Sequence, residues 1–184
     1  MKIIIPEAIR QQALDTYKSV IQNTSHELPV TVLHIDGNYC FIIQGNDSAK
    51  LNNLWVFDIG LEITADDYFY HNPPTFNEME NAIMMVEDEV MPLHKLLAPH
   101  SGLYTTDAGI REIAQLTVFT ENKQGITLTL SNMESVFNRL AAIITGLPAS
   151  QDCLPTTKSF AVTLLILREV MHHLGFMDIN IFPL

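Results

Sequence analysis

Apolar positions along the chain change period several times, and each change marks an element. Ile9, Ala13, Tyr17 and Val20/Ile21 recur at helical spacing behind Pro6 and Glu7. Proline at a first helical position gives up no hydrogen bond, and an acid beside it meets the positive end of the helix dipole. A helix is predicted over residues 6–22. From Val30 to Ile43 the period drops to two, which predicts two strands joined at Asp36-Gly37-Asn38. Residues 54–63 alternate again, with Gly60 inside, and read as a third strand. Three sequential strands with short connections make an antiparallel meander.

Asn72-Pro73-Pro74 then leads into the clearest helix, with Thr75 as N-cap and Glu78 three residues on completing a capping box. Met79, Ile83, Val86, Val90, Leu93 and Leu97 form its apolar stripe, and Pro92 should kink or end it. The stretch that follows is ambiguous. Residues 110–116 fit a helix, while 116–120 and 126–130 read as strands joined at 122–125. Ser131, with Glu134 in the capping-box position, opens another helix, which Gly146 and Pro148 stop. A last helix over 157–174 is apolar nearly all round from Phe160 to Leu167, the mark of a helix at the centre of a core, and Gly175 stops it. A short strand over 178–182 closes the chain, and the whole order predicts an α/β or α+β layered domain.

The 184 residues allow one domain with a real core or two small ones. No apolar run is long enough for a bilayer span, and the short run at Ile3-Ile4-Ile5 is too brief for a signal peptide, so a cytoplasmic protein is expected. Cys40 and Cys153 give neither a disulfide framework nor a metal motif. Ten Lys/Arg against 21 Asp/Glu leave a formal net charge of −11, with the basic residues scattered. Long-range repulsion argues against a nucleic-acid partner or another polyanion.

The chemistry-bearing residues are dispersed. Seven histidines (His26, His34, His71, His94, His100, His172 and His173) offer no pair at zinc spacing with a third ligand nearby in sequence. Asp66, Asp67 and His71 are the best local metal set, against the plainer reading of a polar loop. Glu80, Glu87, Asp88 and Glu89 lie off the apolar stripe and read as a solvated helix face rather than a catalytic carboxylate pair. His172-His173 suit the negative end of the last helix, and Cys153 has no base to activate it.

From His34 onward the order of motifs resembles the second domain of the exopolyphosphatase and guanosine-pentaphosphate phosphohydrolase family. Family members carry an Asp-Ile-Gly-Gly-Gly-Ser phosphate loop where this chain has His34-Ile35-Asp36-Gly37-Asn38-Tyr39. Asp58-Ile59-Gly60 and Thr64-Ala65-Asp66 stand at the family's Pro-Leu-Gly and Leu-Thr-Glu, and Pro73-Pro74-Thr75 is kept. The family's Gly-Thr-Gly-Gly-Thr corresponds to Thr105-Thr106-Asp107-Ala108-Gly109, which favours helix for residues 110–116. Asp152-Cys153-Leu154-Pro155 and Val170-Met171-His172-His173-Leu174-Gly175-Phe176 follow in the family's order. The resemblance implies an RNase H-like, actin-like ATPase fold: one α/β domain over residues 1–184, its mixed sheet opening with a three-strand meander flanked by helices.

Its departures bear on function. Asp36 and Asn38 replace two loop glycines, Tyr39 the serine, and His34 the loop's aspartate; the second loop keeps only Gly109 beside Asp107 and Ala108. The family's first domain, with its catalytic glutamate, and its Gly-Leu-Arg-Glu-Gly ending lie outside the sequence. Glycine loops let backbone N–H groups approach phosphate, and phosphoryl transfer depends on that positioning. The expectation is a non-catalytic relative acting as a binding or interaction module, with a homodimer or another protein covering the face that meets the first domain in the family. One alternative is a residual phosphohydrolase acting on polyphosphate or a nucleotide, with Mg²⁺ held by Asp36 and Asp66 and more weakly by Asp107. Another is an unrelated α+β domain that binds a small molecule.

Overall fold

The computed structural model describes residues 5–24, 29–45, 52–117, 120–122 and 125–183. The N-terminal apolar run through residue 4, His26, and residues 118–119 and 123–124 of the expected second hairpin lie outside the described residues. Helix α1 (Glu7–Asn23) precedes β1 (Val30–Ile35), β2 (Cys40–Gly45) and β3 (Asn53–Phe57). Helices α2 (Leu61–Tyr68) and α3 (Phe76–Val90) follow, and a 3₁₀ turn (Met91–Lys95) that takes in Pro92 ends the helical run. Next come β4 (Gly102–Thr105), α4 (Ala108–Gln115), β5 (Thr120–Asn122), β6 (Gly125–Thr129), α5 (Leu130–Ile144), α6 (Lys158–Leu174) and β7 (Asp178–Ile181).

The strands form one sheet in the order β3-β2-β1-β4-β7-β6-β5. β1, β2 and β3 make the antiparallel meander, and β4 and β7 run parallel to β1. Antiparallel β6 and β5 extend the far edge. A meander continued by two parallel strands on the β1 side is a mixed sheet of the kind the resemblance implies.

Period-two alternation sorts the strands between two cores. Leu33 and Ile35 of β1 face the larger one, built on α6, whose Phe160–Leu167 side chains are buried. Val30 and Val32 face the other side, where Ala13, Tyr17 and Val20 of α1 cover the sheet. His34 continues that second set, so alternation alone points it at α1. Gly45 is needed here, because a Cβ on it would lie 2.2 Å from the Tyr17 hydroxyl.

Several boundaries differ from the sequence expectation. Leu116 and Thr117 close α4 in a turn instead of opening a strand, because their N–H groups donate to Ile113 O and Ala114 O, and β5 covers Thr120–Asn122. The third strand ends at Phe57, and Leu61, Glu62 and Ile63 belong to α2. The reason for this second change is a close approach: a Cβ on Gly60 would meet Asp36 O, Gly37 O and Tyr39 N within 2.7 Å. This lets the Leu61 and Glu62 N–H groups donate to Asp36 O and Gly37 O, which starts a helix. In α5 the N-cap is Thr129, whose side chain accepts from the Asn132 N–H, and Ser131 already lies in the helix. The Thr75–Glu78 capping box of α3 and the Gly175 stop of α6, left-handed, are as the sequence predicts, while Thr157 is the N-cap of α6 rather than its first helical residue.

Candidate functional site

The C-terminal ends of parallel β1 and β4 lie side by side, the usual place for a site in an open α/β sheet. β1 delivers His34 and, through its turn, Asp36; the loop after β4 delivers Thr106, Asp107, Ala108 and Gly109. With Gln12 and Thr16 of α1 and Leu61 of α2, His34 and the loop after β4 line an open crevice of about 420 Å³, and Asp36 stands beside it against Gln12.

Asp107 is the N-cap residue of α4, yet its side chain makes no bond to its own helix. One carboxylate oxygen lies 2.6 Å from His34 Nδ1, and the other accepts the Ile35 N–H at 2.8 Å. Asp107 thus spans β1 and β4. On the other side of the ring, the Gln12 amide nitrogen lies 3.0 Å from His34 Nε2 and 3.1 Å from Asp36 Oδ2. An amide nitrogen only donates, so this arrangement fits the neutral ring with its proton on Nδ1, donated to Asp107. Gln12 Oε1 accepts the Tyr39 hydroxyl at 2.5 Å, and Phe41 packs on the imidazole with ring centroids 4.8 Å apart.

The electrostatics follow from these partners. Burial opposes charge on His34, but the Asp107 carboxylate and then Asp36 outweigh it and hold its pKa above 6.5. Asp36 is lowered: its partial burial is outweighed by the Gln12 amide, the Gly37 N–H, Tyr39 and His34. Burial and then the neighbouring Asp36 raise the Tyr39 phenol.

The hairpin turn is occupied by its own acids. Asp36 Oδ1 accepts the Gly37 N–H at 2.6 Å. A Cβ on Gly37 would lie 3.1 Å from Glu62 Oε2, so a second carboxylate rests on the same turn. The turn's carbonyls hold the first N–H groups of α2. Gly109 packs close to Thr163 of α6, which brings the start of α4 to the crevice wall.

The structure therefore gathers His34, Asp36, Gly37, Tyr39, Asp107, Ala108 and Gly109 at one end of β1 and β4, with Asn38 in the exposed part of the turn. Asp66 and Asp67 are exposed on α2, and His71 pairs with Glu78 at 2.8 Å instead. Among the described residues no three ligating groups converge around Asp36, Asp66 or Asp67. Glu80, Asp88 and Glu89 are exposed as expected, whereas Glu87 turns toward Glu169 and His173. His172 pairs with Glu134. Cys153 is exposed; Cys40 is fully buried, which pushes its thiol well up, with Asp107 adding to the effect. Gln12 escaped the sequence reading, since nothing local ties a glutamine of α1 to a histidine 22 residues on. No helix among the described residues is long and apolar enough to cross a membrane.

No protein-family model matches this chain, and no curated protein matches it in sequence. Solved structures do. A Ppx/GppA phosphatase of Aquifex aeolicus is 18% identical with a TM-score of 0.75, over 94% of this chain and 59% of that one. An exopolyphosphatase of Cytophaga hutchinsonii is 15% identical with a TM-score of 0.72, over 95% of this chain and 59% of that one. An exopolyphosphatase-like protein, 11% identical with a TM-score of 0.72, covers 97% of this chain and 63% of its own. This chain thus spans about three fifths of the length of the structures it matches. At these identities the likeness is one of fold, and the fold is the actin-like, RNase H-like α/β fold of the Ppx/GppA phosphatases.

Proposed function

We propose that this chain is a non-catalytic, exopolyphosphatase-related module that acts by binding. The observation behind this reading is the Asp36 carboxylate on the Gly37 N–H, with Glu62 against the same glycine. In a phosphate loop the backbone donors of that turn must meet an incoming anion. Here the donor is already satisfied by an acid of the turn itself, and two carboxylates would repel a phosphoryl group. The binding partner would be a second copy or another protein, with nucleic acid disfavoured by the net charge of −11.

Phosphate release should be measured with Mg²⁺ or Mn²⁺ on polyphosphate, guanosine pentaphosphate and ATP. The expected result is no release above that of Asp36→Ala. Release by the wild type that Asp36→Ala abolishes would overturn the reading. One observation favours a residual phosphohydrolase instead: His34 is oriented by a carboxylate at Nδ1, as a general base must be. In that reading Mg²⁺ is the cofactor and His34→Ala removes the release as well.

A further inference from the structure

Away from the crevice, α3 and α6 cross where Glu87, Glu169 and His173 meet. Glu169 and His173 stand four residues apart on one face of α6, and Glu87 comes from the polar side of α3. One ligating atom from each lies within 4.8 Å of the other two. The measured edges are 3.1 Å from His173 Nε2 to Glu169 Oε2 and 3.6 Å from His173 Nε2 to Glu87 Oε1. Oxygen and nitrogen donors about 2.1 Å from a tetrahedral ion sit about 3.4 Å from each other, so these two edges bracket the spacing such an ion requires.

The surroundings suit the same purpose. The Glu169 side chain is 2% exposed, in a helix otherwise lined with apolar core residues. A buried carboxylate persists only when its oxygens are satisfied. Arg168 Nη1 donates to Glu169 Oε1 at 2.6 Å, which fixes the group and leaves Oε2 turned toward His173. That is how an outer partner orients a metal-binding carboxylate. Glu87 and His173 are partly exposed, at 38% and 26%, so water can reach a fourth position. Arg168 also reaches Glu134, lies over the Phe137 ring and so ties this point to α5.

We propose that Glu87, Glu169 and His173 form a binding site for a divalent transition metal ion such as Zn²⁺, which clamps α3 to α6. One imidazole and two carboxylates with no thiolate select a first-row ion of this kind over Cu⁺, and the imidazole disfavours Mg²⁺. The site is independent of the crevice and of the function proposed for it.

Tag-free protein, stripped with a chelator and dialysed, should be titrated with Zn²⁺ by calorimetry and by thermal unfolding, with Mg²⁺ as control. Binding of about one Zn²⁺ per chain with a rise in Tm is expected, and no response to Mg²⁺ at the same concentration. His173→Ala and Glu87→Gln change partly exposed residues; each should weaken Zn²⁺ at least about tenfold. Circular dichroism would confirm that both variants remain folded. No saturable Zn²⁺ binding, or binding that both folded variants keep unchanged, would overturn the proposal. The first result would leave an imidazole between two carboxylates as an ion-paired cluster, and the second would place the ion on other histidines.

Discussion

At the start of α3, Thr75 and Glu78 close on each other's backbone, whereas at the start of α4 the N-cap Asp107 turns from its own helix to β1. The first arrangement is complete within four residues: Thr75 Oγ1 accepts the Glu78 N–H, and Glu78 Oε2 accepts the Thr75 N–H. The second joins residues 72 and 73 positions apart. A helix can satisfy its first turn locally and be self-contained, or leave its cap free to build something between strands. Here the locally capped start, which also holds Tyr70 and His71 just before it, lies away from the crevice, and the other one lines it.

The largest expected effect would break this contrast if it failed. Asp107→Ala removes the acceptor of the Ile35 N–H and the partner of His34 together, and should cost about 3 kcal/mol. Asp107→Asn keeps an oxygen for one of them and should cost less. Urea unfolding of both variants decides it; an alanine variant no less stable than Thr75→Ala would mean that Asp107 does no more than a local cap.

Next in size is the box itself. Thr75→Ala should cost about 1 kcal/mol. Because the two bonds are reciprocal, Thr75 and Glu78 should couple by about 0.5 kcal/mol or more in a double-mutant cycle. Additive losses would show that each residue caps separately.

The acid side of the comparison is read through pH. Burial works against charge on Glu78, but the Thr75 N–H, His71, the Tyr70 N–H and the Thr75 side chain outweigh it and bring its pKa from 4.5 to about 2. A carboxyl depressed on folding stabilises fully above its unfolded pKa, and that stabilisation disappears as pH falls through the folded one. The Tm advantage of wild type over Glu78→Gln should therefore hold at pH 5 and shrink between about 4.5 and 2. An advantage that does not change over that range would mean that the carboxylate's charge is not what Thr75 and His71 recognise.

The smallest effect has the opposite sign. His34, raised above 6.5, adds stability that is whole below that pH and declines as pH rises through its folded value. The Tm difference between wild type and His34→Gln should narrow as pH rises above about 6.5, and a widening gap would contradict the ion pairing with Asp107.

What was legible in the sequence follows the same division. The capping box, the Gly175 stop, the apolar centre of α6 and the β1–β2 hairpin are set by neighbours within a few residues, and pattern reading finds them. Of the residues the motif order singled out, the fold brings His34, Asp107, Ala108 and Gly109 to one crevice. Reading residues 54–63 as strand failed because the helix begins where Gly60 touches a turn more than twenty residues earlier, and alternation carries no trace of that contact. The roles of Gln12 and Asp107 are invisible for the same reason. The Glu169–His173 spacing was a readable signal, but its third member, Glu87, looked like one more solvated acid until α3 was laid on α6.

Helix α1 covers its face of the sheet with only three fully buried side chains, Ala13, Tyr17 and Val20, and reaches the crevice through Gln12. The opposite face is sealed by the much larger α6 core. Protection against amide exchange should accordingly be uneven. α1 should open as a unit well below the energy of global unfolding, baring His34 and Asp36 while β1, β4 and β7 stay closed. The crevice is already open, so lifting α1 would widen it, and a partner that takes the place of α1 would compete with a segment of the chain itself.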